Sequence, residues 1–158
     1  MRNRLPKILL AAAFIFVACA LPSDASAQRR RHHPRARGYT KAEVDAVIKR
    51  VETRSDAFVK LFDRALDRSR LDGTDREDNL NEHARRLERE LDDLRREFDR
   101  KESYVETRPE VRRCLDAAGA INRTMKSRRM GAETERQWAL LRTELNTLAD
   151  VYGLPMLR

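Results

Sequence analysis

Between residues 80 and 98 the chain places Leu80, Ala84, Leu87, Leu91, Leu94 and Phe98 at alternating steps of four and three, with mostly charged residues between them. That spacing puts all six side chains on one stripe of an α-helix and on no common face of a strand. A charged helix with one apolar stripe is held by packing rather than by propensity, so it needs other stripes to bury against. The same seam continues to Val105, with Lys101 filling one gap.

The chain supplies three more such stripes. They are Val44, Val47, Ile48, Val51, Phe58, Leu61, Phe62, Ala65 and Leu66; then Val111, Cys114, Leu115, Ala118, Ile121 and Met125; then Trp138, Leu141, Leu145, Leu148 and Tyr152. No strand-like alternation occurs after Thr40. Thr40-x-x-Glu43, Thr74-x-x-Glu77 and Thr107-x-x-Glu110 fit capping boxes, in which the hydroxyl and the glutamate satisfy free N–H groups reciprocally. Pro109 suits a first turn, and Thr134-x-x-Gln137 is a weaker fourth box. Gly73, Gly131 and Gly153 are placed as helix stops. Helices are therefore predicted at 41–71, 75–105, 108–129 and 132–152. Seams near a 3.5 period and short connections give an all-α fold, an antiparallel up-down-up-down four-helix bundle with coiled-coil-like packing. Residues 75–105 carry an excess of acid and residues 108–129 a net of +5, so these neighbours should attract. Glu82–Arg86, Asp92–Arg96 and Glu97–Lys101 are acid-first pairs four apart.

Predicted lengths are unequal. Helices of about 31 and about 21 residues differ by ~15 Å at the usual rise, so the first hairpin should overhang the second. Phe62, Ala65, Leu66 and Leu71 would lie opposite Leu80 and Ala84 with only partial cover. The tip, with Phe62, Leu66, Leu71 and Leu80, is therefore expected to be a dimer contact or a partner site.

Ahead of the helices, Arg2, Arg4 and Lys7 precede an uninterrupted apolar run over residues 8–21, and Ala25-Ser26-Ala27 supplies small residues at a cleavage site. That is the layout of a secretory signal peptide, and the run is too short to span a bilayer. Cleavage between Ala27 and Gln28 would leave a mature chain of residues 28–158, exported to the periplasm or beyond. Lipoprotein processing at Cys19 is the alternative, and it leaves a lipidated cysteine. After the first cut Cys114 stands alone, on an apolar face where a buried thiol is expected; pairing between chains is the other outcome.

Of the formal charge of +8, the leader holds +2 and residues 28–37 hold +5, which leaves +1 for residues 38–158. The excess base is an arm, not a nucleic-acid-binding face. Residues 28–38 lack apolar periodicity and repel one another, so they are expected to be disordered ahead of a helical domain over 39–158. Arg29, Arg30, Arg31, Arg35 and Arg37 are candidates for holding an anionic envelope surface.

Catalytic and metal chemistry find little footing. Seven acids between Asp63 and Glu82 suggest calcium, but aligning Gly73 on the glycine of an EF-hand loop puts Arg68 and Arg70 at ligand positions. His32 and His33 lie in the arm without a third ligand, and His83 flanks a seam. A haem held between a histidine and Met125 or Met130 would use bundle geometry, yet nothing selects it. No phosphate loop, nucleophile elbow or zinc pattern occurs. No catalytic residue, metal or cofactor is expected.

Leu66-Asp67-Arg68-Ser69-Arg70-Leu71-Asp72-Gly73-Thr74 with Glu77-Asp78-Asn79 resembles a segment of a family of exported, all-helical proteins of soil bacteria. So does Trp138-x-x-Leu141-Arg142-x-Glu144-Leu145-x-x-Leu148-Ala149-x-x-Tyr152. That resemblance implies export and helicity over residues 40–152 and brings no activity. Periplasmic chaperones of the envelope-stress type are a looser comparison, since their repeated Leu-Thr-x-x-Gln segment is absent. The function expected is that of a non-catalytic periplasmic or secreted protein acting through protein–protein contacts, with self-association included. Binding of anionic lipid or polymer through the arm is the first alternative; a chaperone-like or haem- or metal-binding bundle is the second.

Overall fold

The computed structural model describes residues 38–69 and 73–158, the side chain of Arg76 apart. The leader with Cys19, the cut between Ala27 and Gln28, the arm arginines Arg29, Arg30, Arg31, Arg35 and Arg37, and Leu71 lie outside the described residues. Among the described residues there are four helices, α1 (Lys41–Asp67), α2 (Asp75–Arg100), α3 (Arg108–Ser127) and α4 (Ala132–Val151), with a 3₁₀ turn over Tyr104–Thr107 and no strand. None of the helices is long and apolar enough to cross a membrane.

The starts are set by local chemistry. Thr40 caps α1 as expected: its Oγ1 accepts from the Glu43 N–H at 3.2 Å, and Glu43 Oε2 accepts from the Thr40 N–H at 2.8 Å. Thr74 accepts from the Glu77 N–H at 3.4 Å, while Glu77 Oε2 takes the Gly73 N–H at 2.7 Å. α2 stops at Arg100, five residues before the predicted end, and Lys101 is extended. The glutamate that bonds back ahead of α3 is Glu106, to the Ser103 N–H at 3.4 Å, not Glu110 to Thr107. Thr107 is buried and turned to other partners, so the expected third box does not form. Val105, read as a seam residue, is 57 % exposed. α4 begins at Ala132, ahead of Thr134, so the fourth box is bypassed and Glu135 Oε1 accepts the Met130 N–H at 3.3 Å instead. α4 ends in a Schellman turn: Gly153 sits at φ +59°, and the Leu154 N–H donates to Ala149 O at 2.8 Å.

The helices close a ring in which every neighbour runs the opposite way. Lys41 Nζ donates to Lys101 O at 2.5 Å, and Arg95 reaches Asp45 and Glu52, which joins α1 to α2. Cys114 Sγ donates to Glu90 O at 3.2 Å, which joins α2 to α3. Trp138 Nε1–H donates to Asn122 Oδ1 at 3.3 Å between α3 and α4, and Arg50 bonds Glu144 at 2.9 Å between α4 and α1. α2 packs most closely on α3 and α1 on α4, leaving the α1–α2 and α3–α4 seams looser.

The predicted stripes form the core: Val44, Ile48, Val51, Phe58, Leu87, Leu94, Val111, Ala118, Leu141, Leu145 and Leu148 are fully buried. Ser55 completes the first stripe between Val51 and Phe58 and is buried with them. Past α4 the chain folds back. Asn146 accepts the Leu157 N–H at 2.7 Å and donates to Leu157 O at 3.2 Å, while Leu154 is buried.

Charge pairing differs from the expected register. Glu82 meets Arg89, Asp93 meets Arg96 and Glu97 meets Arg100, in place of the three pairs four apart. α2 and α3 touch where the buried Cys114 thiol meets Glu90 O, with Arg113–Glu90 at 3.0 Å as a cross-link. Most other cations of α3 face outward.

Candidate functional site

Both looser seams open into recesses, on opposite sides of the ring. The recess between α1 and α2 has a volume of about 610 Å³ and is walled by Asp56, Glu88, Asp92, Arg85 and Arg89 over Ser55 and Leu91. Ser55 is 1 % exposed, and its hydroxyl has no hydrogen-bond partner among the described residues. Burial first, then the charges of Asp56 and Asp92, hold the Glu88 carboxyl above the ordinary carboxylate range. At one end Arg95 is locked: its Nε and Nη2 each donate to Glu52 at 2.9 Å, and Nη1 donates to Asp45 at 2.6 Å. Those bonds, Glu52's above all, raise the guanidinium above its usual range. Asp45 is held low by Lys49 and then by Arg95.

The recess between α3 and α4 is smaller, about 430 Å³, and of the opposite sign. Trp138 and Met125 form its apolar side, with Ala139 beside them. Trp138 is fixed from behind, since its ring lies 5.2 Å from that of Phe58. Asn122, which accepts the Trp138 indole proton, donates to Arg158 O at 2.6 Å and so ties the chain end to the same spot. Lys126, Arg128, Arg129 and Arg142 provide the cations. Arg129 pairs with Glu135 at 3.5 Å. Lys126, Arg128 and Arg142 have no ion-pair partner among the described residues. Gly131 at φ +90° turns the connection sharply, and Met130 is buried beneath it, so the loop carrying Arg128 is anchored on both sides. This arrangement suits a negative charge attached to an apolar body.

The tip differs from its expectation. α1 ends at Asp67, so the first hairpin exceeds the second by about 10 Å at the usual rise rather than 15 Å. Phe62 is 1 % exposed, Leu66 and Leu80 are buried, and Ala84 is buried opposite them. Phe62 stacks on Phe58 at 5.2 Å, and all belong to one cluster with Met130 and Trp138. The half-covered apolar end inferred from helix lengths is thus corrected: Phe62, Leu66 and Leu80 are buried in the core, and Phe62 is held there by its stack on Phe58.

Cys114 is the one free cysteine among the described residues and is buried, with desolvation holding its pKa well above the usual range. Among the described residues no group of three or more His, Cys, Asp or Glu side chains is placed to hold a metal ion. Lys126, Arg128 and Arg142 were not singled out by sequence. Their signals were the basic balance of residues 108–129 and the position of the one tryptophan.

No family model matches this chain, and no curated protein or solved structure is similar to it.

Proposed function

We propose that the chain is an exported, non-catalytic helical protein that acts by holding a partner at its surface outside the cytoplasm. One observation carries this reading: unpaired charge of opposite sign gathers at two open seams on opposite sides of a closed core. Asp56, Glu88 and Asp92 face one side, and Lys126, Arg128 and Arg142 the other. Segregated charge steers encounter and sets orientation, whereas interspersed charge mainly serves solubility. The basic run, apolar stretch and Ala25-Ser26-Ala27 pattern support export. A second reading, contact with anionic envelope material, is favoured by the α3–α4 cations in addition to the arm.

The test combines fractionation with in-cell cross-linking. Protein recovered outside the cytoplasm should begin at Gln28, or carry lipid on Cys19, and should give a discrete adduct. Glu88→Lys with Asp92→Lys should remove an adduct made through the acidic seam; Arg128→Glu with Arg142→Glu should remove one made through the basic seam. A leader-bearing protein retained in the cytosol, or adducts indifferent to both reversals, would overturn the proposal.

A further inference from the structure

We infer that the α3–α4 recess is a binding site for a small amphiphilic anion, a phosphate or carboxylate head on a short apolar body. This goes beyond the macromolecular contact proposed above and does not depend on it. Three features converge on it. The recess, at about 430 Å³, falls within the range of small-molecule sites. Lys126, Arg128 and Arg142 bring cationic donors to one cavity, and none of them is in ion-pair contact with an acid among the described residues. Guanidinium groups match carboxylate and phosphate oxygens with paired bonds, so Arg128 and Arg142 suit the head.

The apolar half is equally specific. Met125 and Ala139 sit with Trp138 on the same cavity, and Met125 is only half-buried. Glu135, whose side chain also lines the recess, is already engaged by Arg129 and the Met130 N–H, and so competes little with an anionic ligand for Lys126, Arg128 and Arg142. The floor is rigid before any ligand arrives, because the Trp138–Asn122–Arg158 chain and the Phe58 ring hold the indole in place. A preformed site of this kind loses little freedom on binding. Charge alone would give salt-dependent adsorption without a preferred body; charge over an indole floor selects an amphiphile.

Trp138 is the single tryptophan of the chain, so its emission reports occupancy directly. The probe is decyl phosphate below its micelle concentration, titrated into the whole purified chain; inorganic phosphate and decanol serve as head-only and tail-only comparisons. Decyl phosphate should shift Trp138 emission saturably, with each half-ligand at least about tenfold weaker. Arg128→Glu with Arg142→Glu should weaken binding at least about tenfold, and Ala139→Phe should block it without altering charge. Lys60→Glu with Arg85→Glu makes the same charge change at the opposite seam and should leave binding intact. Circular dichroism checks that each variant is folded. Equal losses in both charge reversals, unchanged affinity in Ala139→Phe, or no saturable shift would overturn the inference. Vesicles of phosphatidylglycerol separate a lipid headgroup from a free amphiphile: competition between vesicles and decyl phosphate would assign the head to lipid. Vesicle binding without any response to decyl phosphate would overturn the recess in favour of surface adsorption.

Discussion

Thr107 and Tyr152 lie at opposite ends of the second hairpin's sequence and meet through a hydroxyl–hydroxyl hydrogen bond of 2.8 Å. Thr107 Oγ1 also donates to Tyr104 O at 2.7 Å, so its proton is used there and Tyr152 must be the donor of the shared bond. Tyr104 packs edge-on against Tyr152 at 5.6 Å, which explains why the chain leaves α2 at Arg100 to make a 3₁₀ turn. Burial pushes the Tyr152 hydroxyl up to about 12, against the pull of Thr107.

Tyr152→Phe should cost about 1 kcal/mol in urea unfolding at pH 7, the usual net worth of one such bond. Thr107→Val should cost more, ~1–3 kcal/mol, because it strands a buried donor. The folded phenol keeps its proton to higher pH than the unfolded one, so the wild type should lose stability as pH rises from about 10 to 12. Tyr152→Phe should lack that alkaline loss. Identical alkaline profiles for the two proteins would refute the assignment.

Phe62 gives a prediction that reverses the sequence expectation. Exposed at a tip, Phe62→Asp would leave helicity intact and alter only association. Buried and stacked on Phe58, it should instead unfold much of the bundle, because the substitution carries a carboxylate into the apolar core. Phe62→Ala should cost ~3–5 kcal/mol by urea unfolding. A change below about 1 kcal/mol would return Phe62 to the surface.

The helical body was legible because its signals are local or periodic. Thr40 with Glu43, Gly153 after α4 and the four stripes all act within a few residues, and the stripes found one another as expected, whereas Gly73 and Gly131, read as helix stops, sit ahead of α2 and α4 instead of closing α1 and α3. The end of α2 was not legible, since Tyr104 leaves the helical path to reach Tyr152, nearly fifty residues away. Ser55 was passed over because a hydroxyl does not announce itself as core. The tip was misjudged by carrying α1 on to residue 71 as a rod, whereas α1 stops at Asp67 and Phe62, Leu66 and Leu80 are buried. The α3–α4 cations were visible only as a net charge. Their convergence on Trp138 depends on how two helices and a returning chain end, tied by Asn122 and Asn146, are packed.

Cys114 should be chemically silent while the fold is intact. It is fully buried, its thiol donates to Glu90 O, and desolvation holds it protonated. Labelling with a thiol reagent at pH 8 should be slower than in urea by about a hundredfold or more, tracking opening of the bundle. Non-reducing electrophoresis of protein from an oxidising compartment should show no disulfide-linked dimer. Rapid labelling of the native protein would place the thiol at the surface and reopen interchain pairing.

Glu88 provides a test of the acidic seam that is independent of any partner. Its carboxyl is raised first by burial and then by Asp56 and Asp92. A carboxyl whose folded pKa exceeds its unfolded value binds more protons when folded, so its charge opposes folding at neutral pH. That penalty fades as pH falls through the folded pKa, because the group is then neutral in the native state. Glu88→Gln should therefore be more stable than wild type at pH 7, by ~1–2 °C in Tm if relief of like charge is of the usual helical size. Its advantage should shrink as the pH is lowered and vanish once Glu88 is protonated in both states. Asp45, held low by Lys49 and Arg95, behaves in the opposite sense: its contribution is present at neutral pH and lost in acid. Glu88→Gln should thus broaden the stable range at neutral pH without protecting against acid unfolding. A gain that persists unchanged at low pH would show that packing, and not the charge gathered between α1 and α2, sets the stability of that seam.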